Sequence, residues 1–428
     1  MFKLVLLVVK FLVYAASIDD NNLLNNQNEI KNNAGLQPLV IVPGLGHSRM
    51  EFLYKHEGNA AYRPLWLEIN SMLINKSLFL NDMEVQYNPE TDEYQSADHV
   101  HIRPQEYGGV NGFTILDTSY PNDTNKFGNT IQYLEDLGYV VGKSLFGSPY
   151  DFRLSGPTNV KKTGMYDDLM KLIEKAYEIN GKKKVFLLGH SFGCVLSHHF
   201  LTSYVSEYWK QKYIESFISV SGPYGGVVES FSYLLAPRKW IVPGVTPQES
   251  FKSLKYVAPF YWLLPNKYGF DEDNDIIAEI PSLNITITPK NQSWVFESTG
   301  RLDQLKAANH VKDIRNQLHN PPHIKTHVFI CTGVPTISKI LFNASYEQYK
   351  QQWWNTEGVD IMSDGDNTVT AKSLRVPYQW IKAQEQPVII RELTGTDHSG
   401  ILNDKKFKFE LRSILLGMEQ DEEGETEL

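Results

Sequence analysis

The stretch KVFLLGHSFGCVL at 184–196 constrains the fold more than any other part of the chain. Val185-Phe186-Leu187-Leu188 is a short apolar run that stops at a glycine, which predicts a buried parallel strand. Residues 194–201 follow at once with a helix-like pattern. Between them lies Gly189-His190-Ser191-Phe192-Gly193, a G-x-S-x-G sequence. A serine there sits on a sharp strand-to-helix turn, where Gly189 and Gly193 leave room because they carry no Cβ. The turn exposes Ser191 Oγ and lets the Phe192 N–H face a developing oxyanion. The helix adds the positive end of its dipole. The bare pattern occurs by chance in long chains. The strand before it and the helix after it make Ser191 a candidate nucleophile rather than an idle serine in a tight turn.

The order of elements around this stretch predicts a fold class. Apolar runs at 38–42, 137–141, 217–220, 327–330 and 388–390 read as further strands. Helical patterns at 130–136, 166–179 and 407–416 alternate with them. This is an α/β chain with a mostly parallel sheet and right-handed crossovers. Two stretches break the rhythm and are too long for loops, at about 51–112 and about 223–325. The second is rich in Pro and aromatics and reads as a cap over the carboxyl edge of the sheet. The first contains Trp66 and the run Leu78-Phe79-Leu80, either a membrane-touching patch or the core of a subdomain.

A nucleophilic serine needs a base and an orienting acid. In α/β hydrolases these follow in the order Ser, Asp or Glu, His. His398 lies on a loop directly after the last predicted strand and can swing over Ser191. The turn-rich segment 362–369 offers Asp364 and Asp366 as the acid.

Charge and composition exclude other classes. The formal net charge is −9, so nothing points to nucleic acid. Residues 1–17 read as a signal peptide, with Lys3, an apolar stretch, and Ala15 and Ser17 at the cleavage spacing. Residues 18–34 form an Asn-rich lead-in, and 418–428 an acidic tail. Residues 35–417 remain as one domain carrying both inserts. No stretch after the signal has some 18 unbroken apolar residues, so no transmembrane span is expected. Cys194 and Cys331 are expected to be buried free thiols. Asn75, Asn122, Asn284, Asn291 and Asn343 open N-x-S/T sequons. His99-Val100-His101 could present two metal ligands on one strand face, but such pairs are usually structural. No zinc, phosphate-loop or dinucleotide motif is present. Neither a metal nor a cofactor is expected.

Several motifs in order resemble the family of lecithin:cholesterol acyltransferase and lysosomal phospholipase A2. They are Val42-Pro43-Gly44, Leu65-Trp66-Leu67, Ser148-Pro149-Tyr150-Asp151-Phe152-Arg153, Gly222-Pro223-Tyr224-Gly225-Gly226, Cys331-Thr332-Gly333-Val334-Pro335-Thr336, Asp364 to Val369, and Asp397-His398-Ser399-Gly400-Ile401-Leu402. The resemblance implies an α/β hydrolase with a cap and a small membrane-binding insert. It implies acyl transfer from a glycerophospholipid to water or a lipid alcohol. A neutral-lipid lipase or esterase, or a non-catalytic lipid-binding protein of the same fold, is the alternative. It favours Asp366 over Asp364 as the acid, places the second oxyanion donor on the N–H of Leu45, and makes Asp151–Arg153 a structural ion pair. It also implies a secreted or lysosomal monomer acting peripherally at a membrane or lipoprotein surface. Phe152 and Tyr224 stand where the family has tryptophan, and His47 where it usually has glycine.

Overall fold

The computed structural model describes residues 36–58, 60–236 and 244–418. The expected signal peptide at 1–17, the lead-in at 18–34 and all but the first residue of the 418–428 tail lie outside the described residues. Strand β1 (Leu39–Val42) shows how the sheet is built. Val40 and Val42 enter one apolar cluster, and Leu39 and Ile41 enter another. Both faces are covered, as parallel strands require. The chain continues with β2 (Leu145–Gly147), β3 (Val185–His190), β4 (Ile214–Val220), β5 (Thr326–Thr332) and β6 (Val388–Thr394). They pair in the order β6-β5-β4-β3-β1-β2, all parallel. The strand β3 that leads into Ser191 therefore lies inside the sheet.

Helices cover both faces. Helix α1 (Gly128–Asp136) buries Ile131 and Leu134 on the Leu39 face. Helix α2 (Met165–Ile179) buries Leu169, Leu172, Ile173 and Ala176 on the Val40 face, the stripe expected from its spacing. Helix α3 (Phe192–Ser203) packs on that same face, and α4 (Lys405–Leu415) closes the other.

The strand expected at 137–141 is not one. Gly138 and Gly142 hold positive φ at either end, and Val140 and Val141 turn partly to solvent. The sheet position belongs to β2 instead, paired with Leu39 to Ile41.

The first insert has its own scaffold. Strands Arg63–Trp66, Met50–Tyr54 and Val100–Pro104 form an antiparallel sheet in that order. Helices Ile69–Ile74 and Lys76–Met83 follow, then the hairpin Val85–Asn88 with Glu93–Ser96. The expected membrane patch needs correcting here. Trp66, Phe79 and Leu80 are 6%, 5% and 8% exposed and belong to the main core cluster. Phe79, Leu80 and Met83 share one helix face and turn inward together. Of the four residues expected at a membrane, only Leu78 faces solvent, beside Leu73 and Ile74.

The cap is larger than the 223–325 stretch. Strands Ala278–Ile280 and Ile285–Ile287 join a long hairpin, Val334–Asn343 with Glu357–Gly365, in one sheet. The turn-rich segment expected at 362–369 thus begins as the end of a strand. Ion pairs stitch the first insert to the cap: Lys76–Glu249, Glu84–Lys252 and Glu90–Lys306, with Asp92–His310 beside them. No helix among the described residues is long and apolar enough to cross a membrane.

Candidate active site

Ser191 joins β3 to α3 with φ 56° and ψ −126°, left-handed for a residue with a Cβ. Such a conformation costs about 1–3 kcal/mol and persists only where the surroundings impose it. They do so here. A Cβ on Gly193 would lie 2.1 Å from the carbonyl oxygen of Val42, and one on Gly189 2.8 Å from the backbone of Cys194. The helix reaches the strand only because both are glycine. Phe192 opens α3, so its N–H is outside the intrahelical ladder and free to serve an anion.

His398 sits on the loop after β6. Its Nε2 is 2.8 Å from Ser191 Oγ, and its Nδ1 is 2.6 Å from Asp366 Oδ2. Asp366 is fully buried at the foot of the cap hairpin. Its other oxygen accepts the N–H groups of Thr368 and Val369 at 3.0 and 2.7 Å. The N–H of His398 donates to the carbonyl of Asp366 at 2.7 Å. Asp364 is exposed and accepts the N–H of Gly333 instead. Asp397 Oδ1 accepts the N–H groups of Ser399 and Gly400, which folds the loop that carries the histidine.

The turn after β1 carries Leu45. Three side chains fix it. Tyr150 Oη donates to the carbonyl of Pro43 at 2.9 Å, Trp66 Nε1 to that of Gly46 at 2.8 Å, and Ser48 Oγ accepts the N–H of Tyr150 at 3.0 Å. Trp66 therefore buttresses the turn that carries Leu45. Arg153 forks onto Asp151 at 3.0 and 2.6 Å, fully buried, and also reaches Ser96 Oγ and the carbonyls of Asp82 and Met83. The pair ties the first insert to the core.

Behind His398 lies a layer that sequence reasoning missed. His190 Nε2 donates to the carbonyl of His398 at 2.9 Å, and the two rings stand 5.3 Å apart. His47 stacks on His190 at 5.6 Å with the planes 9° apart. Burial holds His190 down to about 3, helped by the charge of His398, so its ring stays neutral. Burial likewise lowers His47 well below its usual value, with Lys126 adding to it. The histidine inside the G-H-S motif was the available signal. Cys194 is buried and pushed up to about 12 by desolvation, and neither it nor Cys331, also buried, is in a disulfide.

His99 bonds buried Asp82 and His101 bonds Tyr62, both at 2.7 Å. Among the described residues no three His, Cys, Asp or Glu side chains are grouped to hold a metal. All five sequon asparagines are exposed.

The family model described as lecithin:cholesterol acyltransferase matches residues 62–299 and 293–405. The chain belongs to this family. It is an enzyme of acyl-ester hydrolysis or transfer. It is 26% identical over 391 residues to the human protein named lysosomal phospholipase A and acyltransferase, covering 89% of this chain and 90% of that one. It is 27% identical over 339 residues to a Gallus gallus protein named phosphatidylcholine-sterol acyltransferase, covering 79% and 78%. In structure it resembles a chain of a crystal structure titled as the Tle4-Tli4 complex. The TM-score is 0.52 at 10% identity, over 89% of this chain and 98% of that one. That likeness concerns the fold alone.

Proposed function

We propose that this family member cleaves an acyl ester of a glycerophospholipid through a serine-bound acyl intermediate. The observation that carries the reading is the continuous chain from Ser191 through His398 to buried Asp366, at 2.8 and 2.6 Å. Ser191 Oγ attacks the ester carbonyl while His398 Nε2 takes its proton. Asp366 holds the imidazolium through Nδ1–H. The N–H groups of Leu45 and Phe192 meet the oxyanion. His398 returns the proton to the leaving alcohol. Water, or a lipid alcohol, then gives its proton to His398 and attacks the acyl–serine carbonyl, and the acyl–Oγ bond breaks as His398 returns that proton to Ser191 Oγ.

The substrate lies in a bilayer or lipoprotein surface, so the enzyme must dock there as a peripheral protein. Leu73, Ile74 and Leu78 form the exposed apolar corner of the first insert, and we assign the contact to them. The five exposed sequons and residues 1–17 support secretion or a lysosomal lumen. The test is to incubate the chain with phospholipid liposomes containing a lipid alcohol and to identify every acylated product by mass. Fatty acid or acylated alcohol is expected. Ser191→Ala should abolish both, leaving about 10³-fold over water. Full activity in Ser191→Ala, or products from neutral lipid alone, would refute the reading.

A further inference from the structure

Asn75 joins the two helices of the first insert. It follows Ile74, the last residue of Ile69–Ile74, and stands at the N-cap of Lys76–Met83. An asparagine there usually turns its side-chain oxygen onto the helix. Asn75 makes no such cap bond, and the residue is exposed. It opens the sequon Asn75-Lys76-Ser77, and Ser77 is exposed too. On either side stand Leu73, Ile74 and Leu78, at 41%, 78% and 49% exposure. Lys76 turns to the cap, donating to the carbonyl of Gly244 at 2.9 Å and pairing with Glu249 at 3.1 Å. A polar modification site thus sits in the middle of the one apolar corner assigned to a lipid surface. Asn284, Asn291 and Asn343 lie instead on or beside the small sheet of the cap.

We propose that Asn75 is an N-glycosylation site whose occupancy holds this corner off a phospholipid surface. The inference rests on the lipid-surface reading above. The donor is a lipid-linked oligosaccharide diphosphate. Asn75 Nδ2 bonds to C1 of the sugar and gives up one proton, and the lipid diphosphate leaves with the bonding electrons. An N-glycan is bulky and hydrated. Interfacial anchoring sinks an apolar face about 5–10 Å into the headgroup boundary. A glycan rooted between Ile74 and Leu78 cannot follow them there. Without it, the corner is free to dock. The triad is untouched in either state, so the control acts on surface binding and not on ester chemistry.

The test uses the full chain secreted from a eukaryotic host, phosphatidylcholine vesicles, and a short soluble ester. Peptide mass spectrometry should find a glycan on Asn75. Asn75→Gln removes no cap bond, and Ser77→Ala removes the sequon by another route. Both should bind vesicles about tenfold more tightly than the natural chain, from the apolar area set free. All should hydrolyse the soluble ester alike. An unmodified Asn75, or equal vesicle binding by the natural chain and both variants, overturns the proposal. Adding Ile74→Ser to Asn75→Gln separates the two ideas. Loss of binding on that change, without any effect of the glycan, overturns the glycan control alone. No loss overturns the lipid-surface reading and the control with it.

Discussion

His190 Nε2 donates to the carbonyl oxygen of His398 at 2.9 Å, linking the residue before Ser191 to the backbone of the histidine that Ser191 faces. The bond crosses between the ends of two strands, so it fixes the histidine loop relative to the serine turn. Positioning errors of about 1 Å can cost 10²-fold in rate. His190→Phe should lower kcat by roughly 10–100-fold with little change in KM. His190→Gln keeps a donor and should recover part of the loss. Turnover of a soluble ester checks both. Equal activity in His190→Phe and the natural chain would remove His190 from the site.

The two acids of the segment around 364–366 are set apart by their surroundings. Asp366 is buried against His398, whereas Asp364 is exposed and occupied by Gly333. Asp366→Asn should lower kcat by about 10⁴-fold. Asp364→Asn should stay within a few-fold. The reverse ranking would reassign the acid.

The first insert turns neighbouring apolar residues in opposite directions. Ile74 and Phe79 are five residues apart, one exposed and one buried. In protein made in a host that adds no glycans, Ile74→Ser should weaken vesicle binding and leave soluble-ester turnover and melting temperature unchanged. Phe79→Ser should destabilise the fold by about 3 kcal/mol, because it leaves a cavity with a polar group in it. Its losses should then fall on both substrates. Selective loss of vesicle binding in Phe79→Ser would put Phe79 at the membrane surface.

The elbow and the histidine loop were legible because their signals are local. An apolar run, two glycines and a helical pattern lie within 184–201, and His398 follows a strand by four residues. The strand Glu357–Gly365 was not legible. It contains Asp360, Ser363, Asp364 and Gly365, residues that strands disfavour, and only pairing with Val334–Asn343 makes it one. Strand β2 is three residues long and owes its place to β1. A run such as Leu78-Phe79-Leu80 reads equally as loop tip or helix face until something packs on it. Trp66 showed its size in the sequence, but its bond to Gly46 depends on a turn 20 residues away.

Buried histidines set how the fold responds to acid. Desolvation lowers His190 to about 3, His198 to about 4 and His199 to about 3. His198 stacks on Trp380 and donates to the carbonyl of Asn320, and His199 meets Tyr166 Oη and Trp262. Each ring is neutral when folded. The unfolded chain takes up a proton on each below about pH 6.5. Above that pH the two states bind alike and these groups contribute nothing. Below it the unfolded state binds more protons, so stability falls as pH falls. The loss is about 1.4 kcal/mol per histidine per pH unit, down to about pH 4, where His198 begins to charge in the folded state as well. The melting temperature should therefore drop between pH 7.5 and pH 5.0. His47, lowered by burial in the same way, is a fourth such group. His199→Phe removes one of the four titrations whatever it does to packing, so the histidine share of the drop should shrink by about a quarter. An unchanged drop in His199→Phe would mean that His199 is protonated within the fold. In that case His199 Nδ1–H donates to Tyr166 Oη.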